Sequence, residues 1–513
     1  MRRILNAKKQ GRENSTDYSD RNYLRTSWHY RRRVFGRRCK YRTMNNACKK
    51  LAFASTALLL FLAFIKSFDP TTLTLNLRTE SVAKGYPTEI DYSKTYDVCT
   101  VGAGLSGTVF AERYANVLNK RVLVMDIRPH VGGNCYDYYD DQTGILMNKY
   151  GAHLFHTNSE KAWKYLNMHP NAPKWERWDH EVKGWVNGKL VPIPANINTV
   201  NRLFDKSIKS EEEMKNWLKS VQISCPKKGC QNAEQMAKSR VGEELYEAIF
   251  HQYTIKQWAK EPKELDALVT ARIPLRTNFD NRYFGDRYQA LPSKGYTAWF
   301  DALLDNPLID VALSTNYFDH KAHLDKVCKK LIYTGPIDRF FGDSGLGKLE
   351  YRSIDFVEER YFNSGFMQPM PVVNYPGNDV QFTRVVEYKH FLNQKSPHTI
   401  LVKEFSKSTG DPYYPVPNEK NQKLYDKYKK LATEAEASKA LDVHFVGRLA
   451  NYKYFNMDAT IENALNMFHD IAGHPEMRDM PGLFDKGASK KNMAYDDSIS
   501  DSFDIPSGPN RKL

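Results

Sequence analysis

Cysteine is scarce in this chain, with seven in 513 residues. That excludes a small disulfide-stapled scaffold, and no CxxC pair or Cys/His grouping has the spacing of zinc ligands. No internal repeat is evident, which argues against a solenoid or propeller. Acid is scarce at one end: residues 1–50 carry 16 Lys/Arg against Glu13, Asp17 and Asp20, a net of +13 that leaves only +2 for the other 463 residues. The basicity belongs to a tail, so the extended basic face of a nucleic-acid binder is excluded for the body. Long apolar runs are scarce too. Leu51–Ile65 is charge-free for fifteen residues, short of the ~20 that a spanning helix usually needs. The only N-x-S/T sequon is Asn14-Ser15-Thr16, within the tail.

These features predict a basic cytoplasmic tail over 1–50, a signal-anchor helix over 51–66 flanked by Lys49, Lys50 and Lys66, and a stalk over 67–94. The expected topology is single-pass type II in the Golgi or another endomembrane, with the side on which the body lies left open. Residues 471–513, rich in Ser, Asp, Lys and Pro, read as a disordered tail. Between them lies a folded body over 95–470. Cys225 and Cys230, in SCPKKGC, are either a loop disulfide in an oxidising compartment or two surface thiols.

The body opens on a short β-rich run, Tyr96–Val101, that leads into Gly102-Ala-Gly104-Leu-Ser-Gly107 and an amphipathic helix over Thr108–Leu118. Gly102 suits a tight turn, Gly104 the close approach of a pyrophosphate, and Gly107 close helix–strand packing. The helix N-terminus then offers free N–H groups to phosphate. A second strand, Arg121–Met125, ends in Asp126, placed about where a ribose hydroxyl is held. Asp126 disfavours a 2′-phosphate and so NADP as the resident group. The following Arg128-Pro-His-Val-Gly132-Gly133-Asn134 allows a second close backbone contact, which an extended FAD needs and NAD does not. The expected cofactor is FAD, with no metal.

Beyond these motifs comes Tyr150-Gly-Ala-His153-Leu-Phe-His156-Thr, then Tyr253-Thr-Ile-Lys-Gln-Trp258, Arg272-Ile-Pro-Leu-Arg276 and Asn281-Arg-Tyr283-Phe. Leu349-Glu-Tyr-Arg352, Thr383-Arg384, Pro412-Tyr-Tyr414-Pro, Gly447-Arg448 and Tyr452-Lys-Tyr454 follow in order. With the glycine segments, this series resembles the UDP-galactopyranose mutase family, in its prokaryotic-type branch, over essentially the whole body. The tail and apolar run lie outside the resemblance. One departure is Asn456, where many relatives have Asp.

The resemblance implies an α/β fold: a discontinuous FAD-binding Rossmann-like domain (95–160, about 325–350 and 435–470), an inserted helical domain (about 195–265) and an antiparallel β-sheet domain (about 175–195 and 270–395). It implies interconversion of UDP-galactopyranose and UDP-galactofuranose for glycan synthesis, with N5 of reduced FAD as nucleophile at the anomeric carbon and no net redox. By the resemblance, Arg272 and Arg384 clamp the diphosphate and sugar from catalytic positions, and Arg272 rides on a lid over about 260–278. Arg352 supports them, Tyr253 and Trp258 form a uridine platform, and Tyr283, Tyr414 and Tyr454 bond the diphosphate. His153 and His156 shape the flavin environment, and Arg448 lies near it. Together with Gly102, Gly104, Gly107, Asp126, Arg128, Gly132, Gly133, Asn134 and His153, it makes the cofactor set. Partners expected are the nucleotide sugars, a flavin reductant such as NADPH and the membrane, with no nucleic acid and a homodimer left open. The rival readings are an FAD-dependent oxidase or desaturase of the same fold, and a membrane-anchored nucleotide-sugar binder.

Overall fold

The computed structural model of the chain describes residues 85–438 and 442–473. The expected tail (1–50), the anchor (51–66) and most of the stalk and C-terminal tail lie outside the described residues. Among the described residues, no helix is long and apolar enough to cross a membrane.

Five short strands build a parallel sheet: β1 (Val98–Val101), β2 (Val122–Met125), β3 (Ile309–Ala312), β4 (Leu331–Tyr333) and β5 (Val443–Phe445), in the order β3-β2-β1-β4-β5. Their near-continuous apolar sequences follow from burial on both faces. Helix α1 (Leu105–Asn116) covers one face together with the helix Met457–Ile471, where Phe468 meets the Tyr114 ring edge-on at 5.3 Å. The other face packs Tyr333, Phe340, Phe445 and Tyr428 into a second core. This is the expected Rossmann-like fold, and β5 falls within the segment 435–470 expected to belong to it.

A mixed seven-stranded sheet stands beside it, ordered Tyr414–Pro415, Tyr351–Tyr361, Thr399–Lys407, Arg384–Glu387, Val372–Asn374, Val182–Val186 and Lys189–Ile193. All neighbours are antiparallel except Val372–Asn374 with Val182–Val186, which pair parallel. That corrects a purely antiparallel expectation. The two strands are joined by a long excursion of chain, so no hairpin forces them to run in opposite directions.

The insert contains the helix Glu211–Val221, capped by the Ser210 hydroxyl, and α2 (Ala233–Leu245), which is broken at Gly242. After a π-helical turn the chain continues as α3 (Gln252–Trp258), and the segment expected as a lid carries the short α4 (Leu268–Ala271).

Two boundaries differ from the expectation. Residues 296–327, assigned from sequence to the sheet domain, supply a helix, edge strand β3 and another helix to the Rossmann layer. Their short apolar strand resembles any buried strand, and only pairing with β2 assigns it. The last residues of the expected stalk also belong to the fold. Pro87 and Thr88 accept bonds from Leu313 N–H and the Thr315 hydroxyl, Ile90 is buried, and Lys94 pairs with Asp310 at 2.8 Å.

Candidate active site

The glycine loop joins β1 to α1 so tightly that a Cβ on Gly107 would stand 1.9 Å from the Gly102 carbonyl oxygen. Gly107 therefore lies under the loop, while Gly102 and Gly104 line a cleft of about 380 Å³. Asp126, Arg128, Gly132, Gly133, Asn134, His153 and Arg448 line the same cleft, so nine of the ten expected cofactor residues share its wall. Gly133, at φ +56, comes so near the loop that a Cβ there would be 2.9 Å from Gly104 Cα. The two glycine segments thus meet across a cradle that side chains would fill, at the N-terminus of α1. This fits an extended dinucleotide.

The Asp126 carboxylate accepts from Ala103 N–H (2.8 Å) and Arg128 N–H (2.9 Å), so it braces the loop while facing the cleft. Burial raises its pKa against these bonds. Arg128 donates to Asn134 Oδ1 at 2.9 Å, approaches Asp411 at 3.3 Å and stacks its guanidinium 4.2 Å from the Tyr150 ring centre.

His153 joins the cleft to the rest of the site. Its Nδ1 lies 2.8 Å from the Gly151 carbonyl, which makes Nδ1 the protonated nitrogen. Burial, with help from Arg448 and Arg384, lowers its pKa to about 4. The ring is therefore neutral at physiological pH. His156 turns away to Asp286 (2.7 Å) and stacks on Phe284 at 3.7 Å.

Beyond His153 the arginines and tyrosines converge. Tyr414 and Tyr454 stack at 5.4 Å, Arg272 lies 3.8 Å over the Tyr454 ring, and Arg448 is 5.5 Å from both rings. Arg448 is fixed by bonds to the Phe455 carbonyl (2.6 and 3.1 Å). Burial works to raise the Tyr454 hydroxyl, yet Arg272 and Arg448 outweigh it and hold the group below the ordinary tyrosine value. Arg384 is close enough to shift Tyr253, Tyr283 and Tyr414. Burial opposes its charge, and the Glu404 carboxylate, 2.6 Å from its Nε, more than offsets this and raises its pKa.

Two expected substrate contacts are placed differently. Trp258 is buried in a small core with Leu265, Val269 and Val416, the first two from the segment expected as a lid. Arg352 is 3 % exposed and spends its guanidinium on the Gln257 carbonyl (2.8 Å), the Lys256 carbonyl (3.4 Å) and the Ser408 hydroxyl. Asn456 precedes the helix Met457–Ile471 without a side-chain cap bond.

Sequence reasoning missed Glu404 and His180. Glu404 sits on the buried face of Thr399–Lys407, alternating with Ile400 and Val402, and an acid on the apolar face of a strand is the signal that was available. His180 is buried beside Tyr283 and Phe284, and its Nδ1 has no hydrogen-bond partner among the described residues.

Comparison with known proteins gives the family. Residues 248–454 match the family model of UDP-galactopyranose mutase, and residues 100–168 match an NAD(P)-binding Rossmann-like domain. A probable UDP-galactopyranose mutase of Klebsiella pneumoniae is 36% identical over 393 residues, covering 74% of this chain and 97% of the relative. A dTDP-fucopyranose mutase of Escherichia coli is 34% identical over 380 residues, covering 72% and 96%. The crystal structure of a reduced UDP-galactopyranose mutase superposes with a TM-score of 0.57 at 16% identity, covering 76% of this chain and 97% of that one, a likeness of fold. From its ordered motifs, its glycine cradle and these relatives, the chain belongs to the UDP-galactopyranose mutase family.

Proposed function

We propose that this chain is a flavin-dependent mutase that interconverts UDP-galactopyranose and UDP-galactofuranose. The observation that carries the reading is the convergence of Arg272, Arg384 and Arg448 with Tyr253, Tyr283, Tyr414 and Tyr454 beside a cleft framed by Gly104 and Gly133. FAD would be held by Gly102, Gly104, Asp126, Arg128, Gly132, Gly133 and Asn134, with Arg448 and His153 at its far end. In reduced form it supplies a nucleophilic nitrogen at the anomeric carbon without net redox change.

The protein's own part is electrostatic. A departing diphosphate gains charge, and Arg272 and Arg384 meet it as cations, while the tyrosine hydroxyls donate neutral hydrogen bonds. Glu404 holds Arg384 in place from behind. Arg272 comes from the lid, so closing the lid and completing the cation pair are one motion, which also excludes water. Neutral His153 keeps a polar ring at the cleft without adding charge.

The nucleotide and sugar admit a second reading, because a relative of nearly equal similarity is a dTDP-fucopyranose mutase. Both are tested by incubating purified holoenzyme, dithionite-reduced, with UDP-galactofuranose or with dTDP-fucopyranose, and separating the products. Pyranose product from UDP-galactofuranose only in reduced samples supports the reading. Conversion of the dTDP sugar alone reassigns the substrate, and consumption of an electron acceptor per turnover points to an oxidase. Arg384→Ala is expected to lower turnover more than tenfold with FAD retained.

We also infer a membrane-anchored enzyme whose flavin is reduced by a separate donor such as NADPH. The charge-free Leu51–Ile65 run behind a basic tail supports the anchor. The disulfides Cys99–Cys328 and Cys225–Cys230 support an oxidising, lumenal site for the body. Protease protection of the body in sealed microsomes tests this, and digestion without detergent would place it in the cytosol.

A further inference from the structure

Lys256 lies on α3 between Tyr253 and Trp258, yet its half-buried side chain points into a different element. Its amine donates to the main-chain carbonyls of Gly377 (2.7 Å), Phe382 (3.1 Å), Val380 (3.3 Å) and Tyr375. All four oxygens belong to the loop 375–383 that joins the strands Val372–Asn374 and Arg384–Glu387, closed at its base by Tyr375 N–H to the Thr383 carbonyl (2.9 Å). An ammonium has three hydrogens, so four converging carbonyls make a complete cradle for it. Among the described residues Lys256 forms no ion pair, and the acid nearest in effect, Asp379, is an exposed residue of the same loop. A lysine needed only for solubility would extend into water; this one is spent on gathering a loop.

The loop ends at the site. Thr383 donates from its N–H (2.9 Å) and its hydroxyl (3.2 Å) to the Glu404 carbonyl, and the next residue is Arg384. On the other side of α3, Arg352 grips the Lys256 and Gln257 carbonyls, where a helix C-terminus leaves acceptors unpaired, and Ser406 donates to Gln257 Oε1 at 3.1 Å. The last turn of α3 thus reaches the loop through the Lys256 ammonium and is gripped by the Arg352 guanidinium, each bonding only to neutral partners among the described residues.

We propose that Lys256 is a positioning residue that locks α3 to the loop preceding Arg384, so that the nucleotide-facing part of the site and its diphosphate clamp keep one spacing. The inference rests on reading Tyr253 and Arg384 as parts of one nucleotide-sugar site. A ligand that touches both parts depends on the lock, and a ligand that touches only one does not.

The test compares binding of UDP and of uridine to wild-type holoenzyme, Lys256→Met and Lys256→Ala, with flavin content and Tm recorded for each. Wild type that binds no UDP sinks the site assignment itself. With wild-type binding intact, Lys256→Met should weaken UDP about tenfold or more while uridine changes less than about threefold. Propylammonium should restore UDP affinity to Lys256→Ala by refilling the carbonyl cradle. Equal losses for both ligands, or unchanged UDP affinity in a folded variant, overturns the proposal. If neither variant folds, hydrogen exchange on wild-type holoenzyme decides. UDP, which touches both parts, should slow exchange in 375–383 while uridine alone leaves it nearly unchanged, and equal protection by both ligands or none by UDP overturns the coupling.

Discussion

Arg384 donates through Nε to Glu404 Oε2 at 2.6 Å, and the second Glu404 oxygen is buried with no hydrogen-bond partner among the described residues. The carboxylate is 1 % exposed and faces Gly151, where a Cβ would stand 3.3 Å from that second oxygen. One acid therefore supports Arg384, the proposed diphosphate clamp, and presents a spare acceptor to the segment that carries His153.

Replacing Glu404 should misplace Arg384 more than it destabilises the flavin site. Glu404→Gln keeps the shape and removes the charge that compensates a buried guanidinium. The expected result is a fall in kcat/KM of about tenfold or more with FAD content unchanged. Steady-state kinetics beside the flavin spectrum check it, and parallel loss of flavin would mean a broader structural role.

Gly133 tests the cradle from the other end. Its φ of +56 and the 2.9 Å approach to Gly104 Cα leave no room for a side chain. Gly133→Ala is expected to lower FAD occupancy of the purified protein about tenfold while the fold persists. Flavin absorbance per protein, beside circular dichroism, reads both quantities.

Stability should fall on mild acidification. Burial lowers His130 to about 4 and His180 to about 3, and Arg128 and Arg384 respectively add to the shift. An unfolded chain protonates both near the ordinary histidine value of about 6.5. Below that pH the unfolded state binds more protons than the folded one, so stability present above pH 6.5 is lost as pH falls. The expected cost is about 2 kcal/mol per histidine at pH 5. Tm measured from pH 7.5 to 5 checks it, His130→Gln should flatten the slope, and a level wild-type profile would contradict it.

The Cys99–Cys328 disulfide ties β1, just before the glycine loop, to the residues that lead into β4, across 229 positions of sequence. Cross-linking so distant a pair restricts the unfolded chain strongly. The Cys99→Ala/Cys328→Ala variant should lose about 2–5 kcal/mol of stability. Denaturant unfolding measures the loss, and non-reducing peptide mapping should recover the joined peptides.

Much of the architecture was legible where chemistry is local. The strand, glycine loop, helix and Asp126 occupy one continuous stretch, and their spacing follows from backbone geometry within a βαβ unit. The helix Glu211–Val221, capped by Ser210, lies within the segment expected as a helical insert. The assignment of β3 was not legible, because a four-residue apolar strand carries no mark of which sheet it will join.

The site divides along the same line. The family resemblance implied that Arg272, Arg384, Tyr414 and Tyr454 share one site, and the fold brings Arg272, Tyr414 and Tyr454 together. How each cation is used is a different matter. Arg384 on Glu404, Arg352 on the carbonyls of α3, and Lys256 within the 375–383 loop are partnerships between residues 20 to about 126 positions apart. Any arginine or lysine offers the same donors in sequence, and only the packing of distant strands and helices selects which acceptors it meets. The Cys99–Cys328 pair makes the point most simply. Two isolated cysteines imply nothing separately, and the close pairing of β1 with β4 brings them to a Cα separation of 5.7 Å.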